Sequence, residues 1–479
     1  MNIIYNSLLR VLDIIFPLIT FPYVSRVLSP EGIGKVDFSN SIIQYFILVA
    51  QLGIPFYGIR ECAKYREDKD KLTKCVQEIF IINIIMIVIS YTLFFIMIYN
   101  VERIIDYRKI LILISISILT TSMGMEWFFQ AIEEYKYITI RNIIVKIFAL
   151  ILMFKLVKKP EDYIIYGVIT ILSVALGHIY NFIYATKNIC LFKKFDNYNF
   201  KKHLKPILFL FAISLANSIY INLDKIMLGI LSGDKAVGLY TTANKIIRII
   251  IAFVTSLGAV MLPRMSYYIE NNKHEEVNSL IKKCIDFILM ISLPATVGII
   301  ILAKSIIFIF SGEDYLDAVI TMQIISPIII ALGLSNLIGV QILISYGKEK
   351  LTLISTIIGA VINIILNIIL IPLFSQNGSA IAMLITEISV TIIQLICGYK
   401  YIKGNIDYRN IKVYLIGSLG VYFICNICIN LQNEIVAILE SIGISILFYF
   451  ILLYYFKVEL ITNIIKKVKF KIINNKTYK

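Results

Sequence analysis

KPILFLFAISLANSIYINLDKIMLGILSGDKAVGLYTTANKIIRIIIAFVTSLGAVMLPRM, running from Lys205 to Met265, decides how the rest of the chain is read. Two apolar segments of membrane-crossing length are joined by the short turn Ser232-Gly233-Asp234-Lys235, and both carry ionisable residues. A charge at the centre of a bilayer costs roughly 2.5 to 3.5 kcal/mol on insertion scales, so such residues normally face protein or a watery space. In the first segment Ser214, Asn217, Ser218, Asp224 and Lys225 recur at helical spacing; in the second, Thr241, Lys245, Arg248 and Thr255 do the same. Residues at that spacing share one face of a helix. The pattern predicts two helices lining a polar cavity of net positive charge. Asp224 and Lys225 could instead serve one another, and Lys245 could snorkel to an interface.

The composition agrees with a membrane setting. Of 479 residues, 59% are hydrophobic and 16% charged, and mean hydropathy is +0.83. Soluble domains run at about 45 to 50% apolar. The formal charge of +15 raises nucleic acid as a partner, but the Lys and Arg residues are scattered between apolar runs, as loop topology requires. No small-residue cleavage site follows a short apolar region near Leu8, so no cleaved signal peptide is expected. Cys62, Cys75, Cys190 and Cys284 fall at expected cytoplasmic helix ends, where disulfides are not expected. Cys425 and Cys428 form a C-x-x-C inside an apolar helix without a second pair, which reads as packing rather than zinc.

Counting about 20 apolar residues per crossing, fourteen spans are expected, centred near Leu18, Tyr45, Met86, Ile116, Leu150, Ile171, Leu215, Ile250, Met290, Ile328, Ile362, Thr386, Gly420 and Phe448. Lys and Arg collect between spans two and three (Arg60 to Lys74) and between six and seven (Lys187 to Lys205), which marks those links, and both termini, as cytoplasmic. The stretches Arg103 to Lys109 and Lys155 to Lys159 fit that orientation least well. No link is long enough for a soluble catalytic domain, and no G-x-x-x-x-G-K-[ST] phosphate loop is present. An enzyme is not expected. His178, His203 and His274 lack metal-ligand spacing and read as surface or packing residues.

The start of the chain echoes the opening stretch. LSPEGIGKVDFSNSI (Leu28 to Ile42) parallels LSGDKAVGLYTTANKI (Leu231 to Ile246), with Gly34 and Asn40 answering Gly238 and Asn244. Downstream, Gln51-Leu52-Gly53 before Arg60 answers Ser256-Leu257-Gly258 before Arg264. The offset spans six helices, an even number, so the halves should be parallel repeats. The expected fold is an all-α polytopic membrane protein of about 14 transmembrane helices. A six-helix lobe (1–204), a second (205–404), two further helices (405–460) and a basic cytoplasmic tail (461–479) surround or flank a central cationic cavity. The last two helices should be peripheral or shape a lipid-facing groove.

The runs LSPEGIGKVDFSNSIIQYFILVAQLGIPFYGIRE, EWFFQAIEEYKYITIRN, INLDKIMLGILSGDKAVGLYTTANKI, VMLPRMS and SNLIGVQILISYGKEK together resemble the Wzx-type polysaccharide flippases of the multidrug/oligosaccharidyl-lipid/polysaccharide exporter superfamily. The resemblance implies a V-shaped pair of lobes moving an undecaprenyl-diphosphate-linked oligosaccharide from the inner to the outer leaflet of the bacterial cytoplasmic membrane. Such a cargo needs cationic partners for its diphosphate. Candidates are Arg10, Arg141, Lys146, Lys225, Lys245 and Arg248, with Arg248 foremost because a guanidinium can engage phosphate oxygens bidentately. Asp37, Asn40, Ser41, Gln44 and Gln51 share a face of helix two and could bind sugar hydroxyls or neighbouring helices. Asp13, Asp224 and Glu387 are candidates for carrying a coupling proton or sodium ion; no other cofactor is expected. The expected partners are the lipid-linked glycan and membrane lipids, not nucleic acid, with a polysaccharide polymerase and glycosyltransferases as further candidates for a chain acting as a monomer. The rival reading is a multidrug or organic-cation antiporter of the same superfamily, which would favour a cavity rich in carboxylates.

Overall fold

The computed structural model describes residues 2–189, 193–195, 197–256, 258–431 and 434–462; the side chains of 2–11, 13–14, 187–188, 259–260, 430–431 and 434–435 fall outside that description. Every long element described is a helix. Thirteen stretches are long and apolar enough to cross a bilayer among the described residues. The first, Ile15–Ala63, holds 49 residues, roughly 70 Å of helix at 1.5 Å per residue, about twice a hydrocarbon core. It is two crossings. The break falls at Ser29, whose φ of 56° and ψ of 165° are not helical, just before Pro30.

The chain packs into two units, 1–241 and 242–479. In the first, helix Asn2–Gln51 packs against Lys69–Asn100, Tyr135–Leu156 and Lys201–Ser232. The helix Lys201–Ser232, which the repeat offset assigns to the second lobe, therefore packs with the first. In the second unit, His274–Ser311 packs on Tyr408–Leu431, and Glu349–Phe374 on Gln376–Ile402. The two last helices, Tyr408–Leu431 and Glu434–Tyr455, pair with each other.

The same succession of elements occurs twice. A crossing is followed by a short helix (Ile54–Ala63, Gly258–Glu270), then a long one (Lys69–Asn100, His274–Ser311) and a 3-10 turn (Glu102–Tyr107, Glu313–Tyr315). A fragmented crossing comes next (Arg108–Ile114, Ile116–Met123 and Glu126–Ala131; Ala318–Ile325, Ile328–Ser335 and Asn336–Leu343), then two unbroken helices. Local chemistry accounts for several breaks. Leu52 and Gly53 take positive φ before Pro55. Met125 does so at φ 43°, after Gly124. The π-helical stretch Asn336–Leu343 leaves the Gly339 carbonyl to accept from Thr352 Oγ1 at 2.8 Å, one of the side-chain repairs that tolerate irregular backbone at membrane depth.

The echo glycines meet reciprocally within the first unit. A Cβ on Gly34 would stand 1.9 Å from the carbonyl oxygen of Asp234, and one on Gly238 would stand 1.9 Å from that of Pro30. Only hydrogen allows both backbones to approach so closely. Beside the crossing, Tyr107 Oη donates to Asp234 Oδ1 at 2.5 Å, and Arg103 donates to the carbonyl of Ile230 at 2.8 Å. Arg108 donates to the Ile98 carbonyl, and Lys158 sits over the Tyr23 ring. Arg103, Arg108 and Lys158, from the two stretches that fit the loop-charge pattern least well, thus each hold a partner within the protein.

Candidate functional site

Helix Asp234–Thr255 carries the cationic stripe. Lys245 is half-buried and Arg248 exposed; Arg248 Nε donates to Asn244 Oδ1 one turn away at 3.2 Å. On Lys201–Ser232, Lys225 is half-buried and Asp224 is buried. Tyr240 Oη donates to Asp224 Oδ2 at 2.7 Å, a partner sixteen residues along the chain that same-helix spacing does not reveal. On helix two, Asn40 is half-buried and Gln44 exposed, while Ser41 turns its hydroxyl back to the Asp37 carbonyl at 2.8 Å. Glu387 is 2% exposed on Gln376–Ile402. The side chains of Arg10 and Asp13 lie outside the described residues.

Arg141 and Lys146 belong to a different setting, inside the first unit. They line a cavity of about 380 Å³ together with Gln51, Glu126, Trp127 and Gln130. Arg141 is 6% exposed. Its guanidinium donates to Glu126 Oε2 at 3.2 Å, to the Gly177 carbonyl at 3.2 Å, and to Asn142 Oδ1 from Nη2 at 2.6 Å and from Nε at 3.2 Å. Gln130 Nε2 completes the chain by donating to Glu126 Oε1 at 3.3 Å. Lys146 lies over the Phe16 ring at 5.7 Å. His178 also lines this cavity, with Nδ1 buried and without a hydrogen-bond partner. Glu126 does not stand out in the sequence, because the carboxylate and Arg141 come from different helices; His178, expected as a surface or packing residue, is buried. Burying a guanidinium demands a partner, and that demand is the one signal available beforehand.

A second buried polar cluster was not legible either. His203 and Glu78 are both 0% exposed, on different helices. His203 Nε2 lies 2.8 Å from Glu78 Oε2, and its Nδ1 lies 2.7 Å from Tyr57 Oη. A neutral ring protonated at Nε2 donates to the carboxylate and accepts from the tyrosine. Lys202 reaches the same carboxylate at 2.9 Å, and the Asn199 backbone donates to Oε1 at 2.8 Å. This histidine is a latch between helix Lys69–Asn100 and the start of Lys201–Ser232. Nearby, Cys62 and Cys75 hold their sulfurs 3.9 Å apart, unbonded.

The last two helices shape a groove within the second unit. It holds about 460 Å³ between His274–Ser311 and the pair Tyr408–Leu431 and Glu434–Tyr455, with Pro294, Ala295 and Gly298 giving it width and Ser441 and Ser445 its few polar atoms. Cys425 contributes to the same wall, its sulfur 3.7 Å from Ser445 Oγ.

Comparison with known proteins places this architecture. The sequence profile described as "Polysaccharide biosynthesis protein" matches residues 1–269, more than half of the chain, and the MatE profile matches 210–369. The chain is 27% identical over 409 residues to the "Putative O-antigen transporter" of Escherichia coli (strain K12), covering 84% of this chain and 96% of that protein. It is 24% identical over 213 residues to the "Probable low-salt glycan biosynthesis flippase Agl15" of Haloferax volcanii, covering 44% and 45%. The structure titled "Lipid II flippase MurJ, inward closed conformation" aligns with a TM-score of 0.74 at 19% identity, covering 96% of this chain and 99% of that one. An inward-facing multidrug resistance MATE family transporter of the MOP superfamily aligns at 0.63 and 15% identity, covering 85% and 99%. At such identities the structural likeness is one of fold. The chain belongs to the polysaccharide biosynthesis protein family, as a Wzx-type member of the multidrug/oligosaccharidyl-lipid/polysaccharide exporter superfamily: a multi-pass membrane transporter rather than an enzyme.

Proposed function

We propose that this protein carries an undecaprenyl-diphosphate-linked oligosaccharide from the inner to the outer leaflet of the bacterial cytoplasmic membrane, for surface polysaccharide assembly. The observation that carries the reading is the pair Lys245 and Arg248, one turn apart on an apolar helix. Among the described residues Arg248 spends Nε on Asn244, which leaves its terminal nitrogens to grip a phosphate bidentately. A diphosphate crossing about 30 Å of hydrocarbon needs such partners. The relatives named for O-antigen transport and glycan flipping support a glycan cargo. The isoprenoid tail need not cross, and the apolar groove beside the last two helices offers it a wall.

With no nucleotide-binding motif in the sequence, the drive in this reading is an ion gradient, the membrane potential or removal of product outside. Asp224, Glu387 and Asp13 are the carboxylates proposed to carry a coupling proton or sodium ion, and both termini are proposed to face the cytoplasm. The test is genetic and chemical. Deleting the gene in its own host should leave lipid-linked oligosaccharide trapped on the cytoplasmic side and the surface glycan lost, with resistance to organic cations unchanged. Normal surface glycan together with lost cation resistance would instead establish the multidrug antiporter.

A further inference from the structure

The cavity of the first unit sets a carboxylate among its cations. Arg141 donates to three partners, one of them the carboxylate of Glu126. That carboxylate neutralises the guanidinium and would repel a phosphate at short range. Lys146 lines the same space and leaves it one net positive charge, which disfavours an organic cation. Apart from Lys146, the polar wall is one of paired donors and acceptors. Gln51, Gln130 and Asn142 contribute amides, Glu126 and Arg141 a charge pair that cancels, and Trp127 an indole. A carboxylate offers about four lone-pair positions, and protein donors reach Glu126 only through Gln130 and Arg141 in the contacts above. Amides, a carboxylate and an aromatic wall together are the equipment for hydroxyl groups on a ring with apolar C–H faces. At about 30 Å³ per water, the 380 Å³ has room for on the order of a dozen non-hydrogen atoms, the size of one hexose.

We propose that this cavity, walled by Trp127, Glu126, Gln130, Arg141, Asn142 and Gln51, is a subsite for a single hexose ring of the transported glycan. It rests on the glycan reading above and deepens it. Arg141 then binds sugar through its pairing with Glu126. The wall also brings its own reporter: Trp127 is the single tryptophan of the chain. Its indole is seated against Gly58, where a Cβ would come within 2.4 Å of the ring.

The experiment uses the full-length protein in lipid vesicles and follows tryptophan emission. The probes are lipid-linked oligosaccharide extracted from the membranes of the native host, and the same lipid after its glycan has been removed to leave prenyl diphosphate. Head-group movement across the vesicle is scored in parallel. The glycosylated lipid should change Trp127 emission saturably, and the bare diphosphate should not. Gln51→Ala and Gln130→Ala should each raise the half-saturating concentration about tenfold, one sugar hydrogen bond's worth. Equal responses to both lipids would overturn the subsite, because the cavity would then be reading phosphate. Head-group movement with no emission change would overturn the subsite alone. Absence of both movement and emission change would sink the transport reading, and the subsite with it.

Discussion

The reciprocal approach of Gly34 and Gly238 permits a prediction whose magnitude comes from geometry. A Cβ at either position would lie 1.9 Å from a carbonyl oxygen and 2.7 Å from its carbon. Real Cβ atoms essentially never come within 3.0 Å, so one methyl group must part the segments by about 1 Å. The obstructing atoms are backbone, and no rotamer change can relieve them. Overpacking of this kind costs about 1 to 3 kcal/mol, and Gly34→Ala or Gly238→Ala should fall at the upper end. Because one separation serves both contacts, the double variant should cost clearly less than the sum of the singles, a coupling expected only of residues in contact. Gly443→Ala is the control: it lies within the helix Glu434–Tyr455 with nothing within 4 Å of the added Cβ. Alanine there should stabilise by about 0.5 to 1 kcal/mol through helix propensity. Thermal unfolding of the four variants in one detergent makes the comparison. Strict additivity at the crossing, or single variants as benign as the control, would refute the interlock.

Glu78→Ala should destabilise by about 3 kcal/mol, since it strands His203 and Lys202 at a site of zero exposure for the carboxylate; Glu78→Gln should recover part of this, and proteolysis between Tyr163–Asn188 and Lys201–Ser232 should report the released latch. Arg248→Ala should lower head-group movement 10- to 150-fold, the worth of a charge-assisted bond, with Lys245→Glu worse than Lys245→Ala because it adds repulsion; equal activities for the two Lys245 variants would mean that Lys245 faces elsewhere. Asp407 caps the helix Tyr408–Leu431 through the Arg409 and Asn410 backbone amides, and the Lys282 ammonium at 3.0 Å, ahead of those amides, holds its carboxyl below the usual range. A depressed folded value means its contribution is complete above the ordinary carboxylate pKa, about 3.9, and is lost as pH falls through the depressed value; Asp407→Asn keeps a capping oxygen but loses the charge facing Lys282, so it should cost about 0.2 to 1 kcal/mol at pH 7 and flatten the acid limb of stability, which unfolding at pH 3 and pH 7 would check.

The membrane character and the all-helical succession of crossings were legible in the sequence, because apolar length is a local property. The two spans merged around Ser29 were separable by length alone. Pairings across helices were not legible. Glu126 with Arg141 and Glu78 with His203 join different helices at no fixed spacing, so no periodicity marks them. Arg141 illustrates the difficulty: its type and apolar neighbourhood are visible in the sequence, and the Glu126 carboxylate beside it is not. The packed units divide at 241 and 242, inside the helix Asp234–Thr255, a place that no change of composition marks.

Head-group accessibility in vesicles tests the central claim most directly. Purified protein is reconstituted with lipid-linked oligosaccharide on one leaflet, and the fraction reached by an impermeant glycan-modifying reagent is followed with time. The account predicts that protein speeds equilibration between leaflets and that Arg248→Ala slows it. Equilibration no faster than in protein-free vesicles, with and without imposed proton or sodium gradients and membrane potential, would contradict it.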